Sequence, residues 1–144
     1  MTTKEYLKQY RTLCGKIERY NERIEQIEAS LQKSLELDGM PRGSSTGNPT
    51  QNTAIKLATI RSQLQASIIE AEYLRQTIAE EIEGMETATY KELLYSRYIL
   101  LLTWEDVTDR VSAGRKDRYD SKHIMTYMHG QALKEFERRR EWNR

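Results

Sequence analysis

Residues 6–31 read YLKQYRTLCGKIERYNERIEQIEASL, and the spacing within this stretch decides the fold. Tyr6, Tyr10, Leu13, Ile17, Tyr20, Ile24, Ile27 and Leu31 follow one another at alternating steps of four and three. With about 3.6 residues per helical turn, such steps gather the apolar side chains into one narrow seam. Tyr10, Ile17, Ile24 and Leu31 then take one of the two seam positions, and Tyr6, Leu13, Tyr20 and Ile27 take the other. Charged residues fill the remaining faces, among them Glu18, Arg19, Glu22, Arg23, Glu25 and Glu28. Their pairs along the helix stabilise it only modestly. A helix with this seam cannot bury it alone, so the spacing predicts a partner helix.

Outward from this stretch, the pattern breaks between Asp38 and Pro49, where two prolines and three glycines stand among Ser, Thr and Asn. That composition predicts a mobile loop over residues 38–50. Helical periodicity then resumes with Leu57, Ile60, Leu64, Ile68, Ala71, Leu74, Ile78, Ile82 and Met85. Two helices of similar length joined by one loop fold back most simply as an antiparallel, coiled-coil-like hairpin over residues 1–86. Each helix would run roughly 45–50 Å at about 1.5 Å per residue. The seam is one stripe wide, so a second hairpin would complete the packing. A homodimer is therefore expected, with Tyr10, Leu13, Ile17, Tyr20, Ile24, Ile27 and Leu31 on the hairpin and dimer seam.

Gly84 and the stretch Thr87–Thr89 mark a second break, and residues 87–144 are expected to form a three-helix module. Tyr90, Leu93, Leu94, Arg97, Tyr98 and Leu101 give its first helix a broad apolar face. Thr103-Trp104-Glu105-Asp106 is a capping-box-like start, with Leu102 and Val107 placed as a hydrophobic staple. The second helix ends at Ser112-Ala113-Gly114. After a basic loop through Arg115, Lys116 and Arg118, Ser121 is the expected cap of the last helix. Its apolar positions are Ile124, Met125, Met128, Ala132, Leu133 and Phe136. No regular two-residue alternation occurs, so the expected fold class is all-α.

Composition agrees with long helices carrying a narrow stripe: 38% of the 144 residues are hydrophobic and 31% are charged. The net charge of +1 conceals an asymmetry. Arg110 to Arg144 holds ten Lys or Arg and five Asp or Glu, so this end is basic and the rest is acidic. A polyanion partner at the basic end and a merely solvated helix face are both open on charge alone. The single cysteine, Cys14, rules out an internal disulfide and fits a reducing cytosol. The start of the chain lacks an apolar signal region. The longest apolar run, Ile99–Leu102, falls far short of the roughly 18 residues of a membrane span.

Several strings occur in a telling order: Leu94-Tyr95-Ser96-Arg97-Tyr98, Thr103-Trp104-Glu105-Asp106-Val107, Ser121 as a helix start, and His129-Gly130-Gln131-Ala132-Leu133. Together they resemble the region-4 helix-turn-helix of sigma factors, in the version carried by small phage and prophage regulators of the ArpU/RinA type. Tyr6-Leu7-Lys8-Gln9-Tyr10 and Asp38-Gly39-Met40-Pro41-Arg42-Gly43 resemble a phage family of unknown function. In that family a helical hairpin with a Met-Pro-Arg-Gly loop precedes the sigma-like module. The resemblance spans nearly the whole chain. It departs at Ser112–Asp120, where the family's turn is shorter, and at Tyr127, where the family tends to have arginine.

The resemblance implies a transcriptional regulator in the cytoplasm of a bacterial host, an activator of late genes acting on double-stranded DNA, with host RNA polymerase as a further partner. In such a module the last helix enters the major groove. With Met125 and Met128 turned to the core, Lys122, His123, Thr126 and Tyr127 project outward as expected base contacts. Arg115, Lys116, Arg118, Ser121, Arg138 and Arg139 are the expected phosphate contacts, although an arginine run at a helix C-terminus also suits the macrodipole. Trp104 reads as a packing residue.

No cofactor or metal site is expected. His123 and His129 fall on different helix faces, and the Gly43–Gly47 region lacks the Gly-Lys-Ser/Thr ending of a phosphate loop. An enzyme is not expected. Two other readings are a packaging component like a terminase small subunit, and a regulator that binds the host polymerase or another protein without touching DNA.

Overall fold

The computed structural model describes residues 1–37 and 49–142. The loop expected over 38–50, with its Met-Pro-Arg-Gly string, lies outside the described residues except for Pro49 and Thr50, which already belong to a helix. All regular structure among the described residues is helical, with no strand. Helix α1 spans Thr3–Leu37 and α2 spans Pro49–Glu83, each 35 residues long. Helix α3 (Ala88–Leu94) runs on into a π-helical turn, Tyr95–Ile99. Helix α4 spans Trp104–Val111. The last helical run consists of α5 (Ser121–His123), a second π turn (Ile124–Met128) and α6 (His129–Trp142). No helix among the described residues is long and apolar enough to cross a membrane.

Helix starts follow local chemistry. Thr2 and Glu5 form a reciprocal capping box at α1: Glu5 N–H donates to Thr2 Oγ1 at 3.2 Å, and Thr2 N–H donates to Glu5 Oε2 at 2.7 Å. These hydrogen bonds hold the Glu5 carboxyl below its ordinary pKa. Proline opens α2, where its missing N–H costs nothing. Thr103 caps α4 as expected, its hydroxyl accepting from Asp106 N–H at 3.3 Å. The cap of α5, however, is Asp120 and not Ser121: the Asp120 carboxylate accepts from Lys122 N–H at 3.1 Å. Ser121 is instead the first helical residue.

The described residues cluster into two compact units. One holds residues 1–12 and 71–144. Its core brings together Leu7, Ile78, Ile82, Met85, Leu93, Leu94, Tyr98, Ile99, Val107, Val111, Ile124, Met128, Ala132 and Phe136. Tyr6, Tyr10, Leu102, Trp104 and Tyr119 pack around it half-buried. Leu7 is fully buried although it lies off the predicted seam, because the C-terminal helices cover that flank of α1. Met125 was expected in the core but is 43% exposed, while Met128 is buried. The Tyr6 hydroxyl donates to Glu81 Oε1 at 3.0 Å, and the Arg140 guanidinium lies 3.7 Å over the Tyr6 ring. Arg140 also pairs with Glu81 at 3.2 Å, which ties α1, α2 and α6 together at one point.

The other unit holds residues 13–70. Ile24, Leu57 and Ile60 are its buried centre, with Tyr20, Ile27, Leu31 and Leu64 packed against them. Leu13 is also buried, whereas Ile17 is half-buried. Glu28 and Arg61 form an ion pair. The seam predicted on α2 slips at one place, where Ser67 is buried and Ile68 is 41% exposed. Ile55 and Ile69 are exposed as well.

Candidate nucleic-acid interface

The last helical run is locked to its unit by one face. Ile124, Ala132 and Phe136 are fully buried and Met128 nearly so. Lys122 and His123, just before Ile124, and Met125, Thr126 and Tyr127, between Ile124 and Met128, are all exposed. All four residues expected to contact bases therefore lie on the solvent side of one helical run. Thr126 is partly engaged, since its hydroxyl donates to the Lys122 carbonyl at 2.6 Å.

The segment between α4 and α5 is anchored as a folded turn. Gly114 takes a left-handed conformation at φ 82°. The Tyr119 N–H donates to Ser112 Oγ at 3.0 Å, and the Tyr119 ring packs half-buried on the core. Arg118 reaches back to α4, pairing with Asp109 at 2.7 Å and Glu105 at 3.0 Å.

Tyr119 was missing from the expected site, yet it begins an aromatic ladder. Its ring stacks on His123 with centroids 6.5 Å apart and planes inclined by 20°. His123 stacks in turn on Tyr127 at 5.3 Å and 22°. At the opposite end, the Arg115 guanidinium lies 3.8 Å over the Tyr119 ring and donates to its hydroxyl. The four residues are each four positions apart, a step readable in the sequence but divided there between a loop and a helix.

The expected phosphate contacts differ in what they already hold. Lys116 and Arg138 are exposed, and Ser121 is half-buried. Arg115 is committed to the ladder and Arg118 to its two carboxylates. Arg139 donates to the Gly84 carbonyl at 2.8 Å and sits 3.5 Å from Glu86. Binding a phosphate through Arg118 or Arg139 would require exchanging these partners, which reduces the net gain.

A second polar cluster lies behind this surface. The Tyr98 hydroxyl is 2.7 Å from His129 Nε2, and the Trp104 ring meets the imidazole edge-on at 4.9 Å. Arg97 covers Trp104 at 4.4 Å and donates to the Leu102 carbonyl at 2.8 Å. Burial pushes His129 down to about 4 and Tyr98 up to about 12. Trp104 is thus a packing residue. Cys14 is a half-buried free thiol in the other unit. Among the described residues, no group of three or more His, Cys, Asp or Glu is arranged to hold a metal ion. No protein-family model matches the chain, and no curated protein or solved structure matches it either.

Proposed function

We propose that this chain is a DNA-binding transcriptional regulator of the phage or prophage type, acting by binding and not by catalysis. In this reading α3, α4 and the last helical run form a sigma-like helix-turn-helix, and α1 with α2 forms a hairpin that dimerises. The observation that carries it is the solvent face of the last run. Lys122, His123, Thr126 and Tyr127 are exposed together while Ile124, Met128, Ala132 and Phe136 fix the helix beneath them. A rigidly backed helix with donors and acceptors outward is what base-edge reading in a major groove requires. The basic balance of residues 110–144 adds the salt-dependent attraction to phosphates.

The test is binding of the purified protein to duplex DNA fragments from its own genomic neighbourhood across a salt series. Beside it stands a variant with Lys122→Ala, His123→Ala and Tyr127→Ala. Selective binding with a steep salt slope, lost in the variant, is the expected result. Absence of binding even at low salt would overturn the reading and favour a protein partner.

A further inference from the structure

The ladder gives His123 and Tyr127 a role different from edge contacts to paired bases. In a duplex each base is covered above and below by its neighbours, so only its edges reach a protein. A free aromatic ring face therefore suits a base that has left the stack. Tyr127 presents such a face: one side of its ring lies on His123, and the residue is 57% exposed.

The rest of the ladder keeps that ring in place. His123 supports Tyr127, Tyr119 supports His123, and the half-buried Tyr119 is held through its N–H by Ser112 and capped by Arg115. Rings preordered in this way lose little freedom when another ring joins the stack. The exposed cation Lys122 directly precedes His123 and supplies a charge for the phosphate of an incoming nucleotide.

We infer that the Arg115–Tyr119–His123–Tyr127 ladder is a stacking site for an unpaired DNA base, taken on the outer face of Tyr127. The inference rests on the DNA-binding reading and adds a preference for single-stranded or locally opened DNA. The surface then reads base edges in the duplex and holds a base that leaves it.

The experiment compares three probes by fluorescence anisotropy: a labelled oligothymidylate of about 12 nucleotides, a ribo-oligomer of the same sequence, and a blunt duplex from the genomic neighbourhood. Each is titrated with wild type, Tyr127→Leu and Tyr127→Phe, after thermal melting has shown all three folded. The expected result is that Tyr127→Leu weakens oligothymidylate binding about tenfold. Tyr127→Phe should keep it, and Tyr127→Leu should lose clearly less on the duplex than on oligothymidylate, so that the ratio of the two affinities shifts toward the duplex. Unchanged oligothymidylate binding in Tyr127→Leu, or an equal loss on the duplex, would overturn the stacking site but leave duplex recognition standing. Tighter Tyr127-dependent binding of the ribo-oligomer would overturn the assignment to DNA. Failure of every probe would remove both readings.

Discussion

The Tyr98 hydroxyl lies 2.7 Å from His129 Nε2, and each residue belongs to or borders a π turn. Leu100 N–H closes the first turn on the Tyr95 carbonyl, and His129 N–H closes the second on the Ile124 carbonyl. Desolvation is the main reason His129 sits at about 4, helped by the positive charges of Lys4, Arg97 and Lys8. The neutral imidazole carries one ring N–H, so this hydrogen bond runs from the Tyr98 hydroxyl to Nε2 in one tautomer and from Nε2–H to the Tyr98 oxygen in the other.

A pH dependence follows from this pair. The unfolded chain carries a histidine of ordinary pKa 6.5 and binds the proton before folded His129 does. Stability is therefore full above about pH 6.5 and falls as pH drops toward about 4, by on the order of 1–3 kcal/mol. Urea midpoints across that window should show the loss, and His129→Gln should flatten it. An unchanged slope in the variant would place the dependence elsewhere.

Phe136 is fully buried and its ring lies 6.3 Å from that of Tyr6. Phe136→Ala should destabilise the unit by about 3–5 kcal/mol, through lost transfer energy and the cavity left behind. Urea unfolding followed by far-ultraviolet circular dichroism would measure this. A cost below about 1 kcal/mol would mean the side chain is not the anchor its burial indicates.

The two candidate caps of the last helical run separate cleanly. Asp120→Ala removes the acceptor for Lys122 N–H and should cost about 0.5–2 kcal/mol. Ser121→Ala should stay within about 0.5 kcal/mol. Thermal melting of both variants decides the matter, and the opposite order would restore Ser121 as the cap.

Leu101 has φ 58°, a left-handed conformation in which its Cβ is crowded. It follows the first π turn, where glycine is the usual solution for a chain leaving a helix. Leu101→Gly should raise stability by about 0.5–1 kcal/mol. A loss on denaturant unfolding would show that contacts of the half-buried leucine outweigh the strain.

What the sequence disclosed was periodic or local. The all-helical class, the break after Glu83 and the Thr103 cap rest on spacing and on one hydroxyl, and each is present. The buried state of Leu7 was not legible, because it depends on helices more than a hundred residues away. Met125 was misplaced because Met is apolar and helical spacing alone allowed it inward; the π turn spanning Ile124–Met128 is invisible to a 3.6-residue rule. Asp120 and Ser121 are both good caps, and only geometry separates them. Of the candidate site, the outward set Lys122, His123, Thr126 and Tyr127 was readable from the anchors around it. The ladder was hidden because Tyr119 stands in the turn, where helical spacing is not sought.

Arg140 clasping Tyr6 has a consequence for how the protein is made. About 130 residues separate the two, and a ribosome adding about 5–20 residues each second needs on the order of ten seconds to cover that distance. Throughout that interval Leu7 lacks the partners that α6 brings, while residues 13–70 already contain both sides of their own small core. The turn of α1 that carries Tyr6 and Leu7 is thus among the last parts of its unit to be enclosed, and Leu7 keeps an uncovered apolar face until α6 has been made.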